Sequence, residues 1–214
     1  MDTELDAREY QAMDHAVVNA EFVARLLELA PKAGTLLDAG TGPGEIPVRI
    51  AERAPGLFVT AIDLAEHMLA LAREGVERAG LGDRIRLVRA DAKATGFPPA
   101  SFDMVVSNSL VHHLPEPIAF LREALRLARP GAGLCIRDLL RPSTKSELDA
   151  LVGRHTAHCS DYQRGLFSAS LNAGLTLEEV TLLCREASLK DVVIEQCSDR
   201  HWSIERRHAD VSHG

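Results

Sequence analysis

The sequence predicts an α/β fold built on one doubly wound, mostly parallel sheet with helices on both faces. Short apolar runs alternate with helical patterns from Thr35 to Asp138, an order that produces right-handed β-α-β units. A glycine-rich turn, Gly40-x-Gly42-x-Gly44, joins the first apolar run to a helical stretch. The length of 214 residues, 46% hydrophobic and 26% charged, suits a single domain with a sizeable core.

Taken in order, residues 10–30 read as a helix with Val23, Leu26, Leu27 and Ala30 on one face. Tyr10, Met13 and His15 on that helix either close over a ligand or pack as ordinary side chains. Strands are expected at 35–39, 57–62, 85–89, 102–107 and 134–137. Between the second and third, Met68, Leu71, Ala72, Gly75, Val76 and Ala79 recur with helical spacing and read as a core stripe that stops at Gly80. Pro115 and Pro117 open a helix whose inward stripe is Ile118, Leu121, Leu125 and Ala128, and Pro130-Gly131 ends it. Thr144-x-x-Glu147 and Thr176-x-x-Glu179 are capping-box patterns that open two further helices. Between them, residues 153–170 carry His155, His158, Tyr162, Arg164 and Phe167 without a clean period. The stretch DVVIEQCSDRHWSIERR reads as two strands joined near Ser198-Asp199.

Composition narrows the function. Lys plus Arg number 24 against 31 Asp plus Glu, a formal net charge of -7, and no basic run stands out. That balance argues against tracking a nucleic-acid backbone. Cys135, Cys159, Cys184 and Cys197 are far apart, so free thiols in a reducing compartment are expected. With neither a signal core nor an apolar run of about 18 residues, the expected location is the cytoplasm, without a membrane.

Leu36-Leu37-Asp38-Ala39-Gly40-Thr41-Gly42-Pro43-Gly44-Glu45 departs from a dinucleotide fingerprint, because Glu45 stands where the third glycine of G-x-G-x-x-G belongs. A phosphate loop is also excluded, since no Lys-Ser or Lys-Thr follows. Asp63 ends the second strand, where one carboxylate can hold two ribose hydroxyls. Asp91 ends the third, beside the backbone N–H of Ala92, a pair able to read an adenine edge. The fourth delivers Ser107 and Asn108. In open α/β sheets ligands gather outside these carboxyl ends.

This constellation resembles the class I S-adenosylmethionine-dependent methyltransferases over residues 34–140, and among them the small-molecule enzymes of ubiquinone and menaquinone biosynthesis. The motifs are LLDAGTGPGEIPVRIAE, VTAIDLAEHMLALARE, VRADAKATGFP and FDMVVSNSLVHHL. The resemblance implies a Rossmann-like sheet of seven strands, the last antiparallel, and S-adenosyl-L-methionine as cofactor. It implies that Gly40, Gly42 and Gly44 line the methionine part, and that Asp63, followed by Leu64, holds the ribose. Asp91 with Ala92 would bind adenine, Asn108 would sit near the reacting methyl, and Asp38 would order the loop and help hold the ammonium group. One domain is expected over residues 1–214. It divides into a helical cap (1–33), a cofactor core (34–140), a helical lid or substrate region (141–190) and a terminal hairpin (191–207).

The expected reaction is in-line methyl transfer to a small molecule, anionic or phenolic, with homo-oligomerisation left open. The alternatives are a protein or nucleic-acid methyltransferase on the same fold and a non-catalytic cofactor-binding protein. Asn108-Ser109-Leu110-Val111, in place of Asn/Asp-Pro-Pro-Tyr/Phe, counts against methylating base amines. Placement of the acceptor does most of the work, and a base helps to remove its proton. Candidates are His113 and His112 after the fourth strand, Asp138 at the end of the fifth, and Arg200 and His201 opening the last. Arg137, Arg141 and Arg200 either receive an anionic group together or form salt bridges at the sheet edge. His155-x-x-His158 belongs to a lid or, with Asp161 or Cys159, to a metal site, though no metal is expected. Tyr162, Arg164 and Phe167 are candidate linings of an acceptor pocket.

Overall fold

The computed structural model describes residues 16–209; Tyr10, Met13 and His15 lie outside them. The elements are α1 (Ala16–Leu29), β1 (Gly34–Ala39), α2 (Glu45–Arg53), β2 (Leu57–Asp63), α3 (Glu66–Arg78), β3 (Ile85–Arg89) and β4 (Phe102–Asn108). A 3-10 turn at Val111–His113 leads into α4 (Pro117–Leu127), β5 (Ala128–Leu139), α5 (Lys145–His155), α6 (Asp161–Ala173), α7 (Leu177–Glu186), β6 (Val193–Gln196) and β7 (His201–Arg206). The seven strands form one sheet in the order β3-β2-β1-β4-β5-β7-β6. Pairs from β3 to β5 are parallel, and β7 runs antiparallel to both β5 and β6. The strand order reverses at β1 and β4, which opens a crevice at their carboxyl ends.

Apolar residues alternate between the two faces, as the period of a strand requires. Leu36, Met104, Val106 and Cys135 pack with α1, α2 and Val76 of α3. Leu37, Val105, Leu134 and Ile136 pack with α4, α7 and Trp202. A third cluster joins Leu139 to Leu151 of α5 and Leu171 of α6.

Several expectations change in detail. Strand β5 begins at Ala128 rather than at residue 134, because Pro130-Gly131 ends the helix without ending the pairing. Ala128 already pairs with Phe102, the register shifts between Phe102 and Met104, and Gly131 takes φ 77°. In α4 the fully buried residues are Phe120, Leu121, Glu123, Ala124 and Leu127, and Ile118 and Leu125 pack half-buried against the same core. In α3, Leu69 is buried, while Ala79 is exposed beyond the last turn. Thr176 and Glu179 form the reciprocal capping box. Thr144 caps only one way, since Glu147 Oε2 accepts from the N–H and hydroxyl of Ser143 instead. The irregular stretch after His155 contains a second full capping box, Ser160 with Gln163, which starts α6.

Candidate functional site

A cleft of about 410 Å³ opens at the carboxyl ends of β1, β2 and β4, walled by the glycine loop. The loop docks on the neighbouring strand, for the N–H groups of Gly40 and Thr41 both donate to Ile62 O at 2.9 Å. Gly40, Gly42 and Gly44 have φ 74°, 55° and 83°, the left-handed region that glycine enters at no steric cost. Their roles differ. A Cβ on Gly44 would lie 2.7 Å from Ala72 Cβ, and one on Gly40 would lie 2.8 Å from Leu110 Cδ1. At Gly42 nothing stands within 4 Å. Gly44 therefore lets α2 approach α3 and does not line the cleft, whereas Gly42 presents bare backbone to it.

Asp63 is the residue that orders the loop. Its Oδ2 accepts from Gly42 N at 2.8 Å and its Oδ1 from Ala65 N at 2.9 Å, which also supplies the N-terminal turn of α3 with an acceptor. That ordering role was expected of Asp38. Asp38 instead lies 1% exposed beneath the loop, and neither of its oxygens has a hydrogen-bond partner among the described residues. Burial pushes its carboxyl up to about 7, opposed by the Thr41 hydroxyl and reinforced by the charge of Asp63.

Asp91 does not face the cleft with free oxygens. Lys93 Nζ donates to both of them at 2.8 and 2.9 Å, and Lys93 N donates to Oδ1. These bonds hold the Asp91 carboxyl below its ordinary range. Lys93, which sequence reasoning missed, is itself part of the cleft wall, as are Leu64, Asn108 and the core residue Met68. Ala92 does not line it. Ser107 is fully buried and donates to Ala39 O at 2.8 Å, so it ties β4 to β1.

Of the two histidines after β4, His113 lines the cleft. Partial desolvation, then the neighbouring His112, lower its pKa, although its outer edge is exposed. The His112 side chain is 4% exposed and its Nδ1 lies 2.6 Å from Asp138 Oδ1. Asp138, itself fully buried, also accepts from Val111 N at 2.5 Å and Leu139 N at 2.7 Å. Fully buried and held by these three bonds, Asp138 positions the turn and has no open path to a ligand. The two imidazoles are in contact, centroids 3.9 Å apart and planes tilted by 42°, so Asp138 and His112 restrict where His113 stands.

The three arginines do not converge. Arg137 is buried, donating to Asn108 Oδ1 at 2.8 Å and Val18 O at 3.0 Å, with Phe22 under its guanidinium. Arg141 pairs with Glu179. Arg200 lies at the sheet edge beside Asp199 at 3.1 Å and the His155 ring at 2.9 Å.

A second cavity, about 750 Å³, lies where α1, the α5–α6 junction and the β6–β7 turn meet. His155, His158, Phe167, Arg200 and His201 line it, whereas Tyr162 and Arg164 do not. Asp199 gathers Arg154 at 2.8 Å and His155 at 2.7 Å. His201 is 5% exposed, bonded through Nδ1 to the Ser198 hydroxyl at 2.8 Å. Burial, then Arg137 and Arg200, lower its pKa to about 3. Among the described residues no three His, Cys, Asp or Glu side chains are grouped to hold a metal ion, and no helix is long and apolar enough to cross a membrane. The four cysteines are free, with Cys135 and Cys184 buried.

Residues 37–136 match a family model described as a methyltransferase domain. The chain is 32% identical over 176 residues to the 27-O-demethylrifamycin SV methyltransferase of Amycolatopsis mediterranei, covering 81% of this chain and 61% of that one. It is 37% identical over 153 residues to the demethylmenaquinone methyltransferase of Thermus thermophilus, covering 72% and 67%. It thus spans about three fifths to two thirds of these relatives' lengths. The structure of a methyltransferase from Aquifex aeolicus superposes with a TM-score of 0.67 at 20% identity, over 97% of this chain and 99% of that one.

Proposed function

The chain belongs to the class I S-adenosylmethionine-dependent methyltransferases, and from that premise we propose that it transfers the cofactor's methyl group to a small-molecule acceptor. The observation that carries the reading is the cleft itself, with the bare face of Gly42 beside Asp63 at the sheet's switch point.

The residues present fit the cofactor. A carboxylate has about four lone-pair sites, so Asp63 keeps two for ribose hydroxyls after serving Gly42 and Ala65. Leu64, 57% exposed, offers an apolar cover beside it. Asp91 and Ala92 bind adenine only if Lys93 releases the Asp91 carboxylate, which makes Lys93 part of that subsite. Asn108 lines the cleft with its Oδ1 held by Arg137, which leaves its amide N–H groups to serve the methionine end.

When bound, the cofactor supplies an activated methyl on a sulfonium. The chain's own contribution is placement and proton removal. His113 is neutral at pH 7, because its pKa is lowered, and a ring nitrogen with a free lone pair can take the acceptor's proton. His112 and Asp138 hold its ring in place. The second cavity is read as the acceptor site. Arg200, His155 and a neutral His201 present polar groups there against Phe167 and Val17, a mixture suited to a phenolic or anionic aromatic molecule. The relatives' names, one for a rifamycin oxygen and one for demethylmenaquinone, support acceptors of that kind.

Isothermal calorimetry with S-adenosylmethionine, S-adenosylhomocysteine and NADH tests the reading. Micromolar binding of the two sulfur nucleosides without NADH is expected, followed by methyl uptake from a panel of phenolic and acidic acceptors. Well-folded protein that binds neither sulfur nucleoside would overturn it.

A further inference from the structure

Resting on the cofactor reading above, we propose that Glu45 receives the ammonium group of the cofactor's methionine part and that Asn19 holds Glu45 in position. Among the described residues, two acidic side chains line the cleft, Asp63 and Glu45. Asp63 stands at the end of β2 with both oxygens bonded to backbone. Glu45 is the first residue of α2. Its Oε2 accepts from Asn19 Nδ2 at 2.9 Å, and its Oε1 has no hydrogen-bond partner among the described residues.

Hydrogen bonds through α1 link Glu45 to the β4 end of the cleft. Asn19 follows Val18, whose carbonyl accepts from Arg137, and Arg137 also donates to Asn108 at the end of β4. Asn19 thereby joins Glu45 to the β4 side of the cleft, while Asp63 ends β2 and Lys93 follows β3. A ligand whose sugar is held at Asp63 therefore extends its other end toward Glu45. In S-adenosylmethionine that end is an amino acid, and its ammonium makes a charge-assisted hydrogen bond with a carboxylate. Lys93, a cation in the wall, is neutralised by Asp91 at the opposite end, and Asp38 does not line the cleft.

Glu45→Gln keeps the size of the side chain and an oxygen for the Asn19 amide but removes the charge. Calorimetry on the full chain would compare S-adenosylmethionine, S-adenosylhomocysteine and 5′-methylthioadenosine, which keeps the nucleoside and the sulfur but lacks the amino acid. Affinity for the first two should fall about tenfold, as loss of a charge-assisted bond implies, with methylthioadenosine changed by less than about twofold. Asn19→Ala should show the same selectivity to a smaller degree, and it serves should Glu45→Gln fail to fold. Equal weakening of all three ligands, or unchanged binding of S-adenosylhomocysteine, would overturn the proposal. Weakening of S-adenosylmethionine alone would assign Glu45 to the sulfonium and overturn it too. If the parent protein binds neither sulfur nucleoside, the cofactor reading itself fails, a result distinct from these.

Discussion

At the scale of the residue, Asp38 is a buried acid in an unfavourable setting. A carboxylate 1% exposed with no hydrogen-bond partner among the described residues is costly to ionise, which is why burial raises its pKa to about 7. Between the unfolded value near 4 and about 7, the folded chain holds a proton that the unfolded chain has released, so this group's contribution is full below pH 4 and lost as the pH rises through 7. Asp38→Asn removes that dependence. The variant should gain stability relative to the parent as the pH is raised from 5 to 8, by a few kcal/mol, since a pKa displaced by one pH unit is worth about 1.4 kcal/mol. Urea unfolding of both proteins at the two pH values checks this, and parallel pH profiles would show that Asp38 has a partner in solution.

At the scale of the element, the glycine loop separates packing from binding within five residues. Gly44→Ala must enter φ 83° and meet Ala72 at 2.7 Å, a clash that opposes the α2–α3 contact. The left-handed backbone costs a side chain about 1–2 kcal/mol, and overpacking adds about 1–3 kcal/mol. Gly42→Ala bears only the first cost, since its added methyl meets nothing within 4 Å. Denaturant unfolding should therefore rank Gly44→Ala well below Gly42→Ala, while calorimetry with S-adenosylhomocysteine should show the larger loss of affinity at Gly42. The reverse ranking would mean that Gly44 faces the ligand. The sequence made the loop legible because strand, glycine spacing and helix start are all local features. It did not reveal which acid orders it, since Asp38 and Asp63 are both strand-end carboxylates and only the pairing of β1 with β2 brings Asp63 to Gly42 N. Lys93 was missed for a similar reason, as a lysine two residues after an aspartate carries no pattern until the turn folds it onto Asp91. The start of α6 was readable as Ser160-x-x-Gln163, but no apolar run followed to make that pattern stand out.

At the scale of the whole molecule, the cleft belongs to no single element, and this bears on how ligand binding and stability are coupled. Its walls come from α1, the ends of β1, β2 and β4, and the starts of α2 and α3. Both apolar layers share the same sheet, Leu36 and Leu37 facing opposite ways on one strand. The distal end of the sheet is fastened to α1 as well. Arg25 pairs at 2.7 Å with Glu205 of β7, which is 4% exposed on its side chain, and His208 N donates to Leu29 O at 2.8 Å. Local opening of the cleft would therefore disturb α1, and through it β7, so the protein should unfold in one transition. A ligand that binds only the folded form at about 100 times its Kd adds about 2.7 kcal/mol. For a chain of this size that corresponds to a rise of roughly 5–10 °C in the melting temperature. Scanning calorimetry with increasing S-adenosylhomocysteine should show a single peak that moves upward as a whole. Two peaks with only one responding would mean that the terminal hairpin and α5–α7 melt apart from the cofactor half, and that the ties from Arg25 and His208 to β7 and α1 do not couple them.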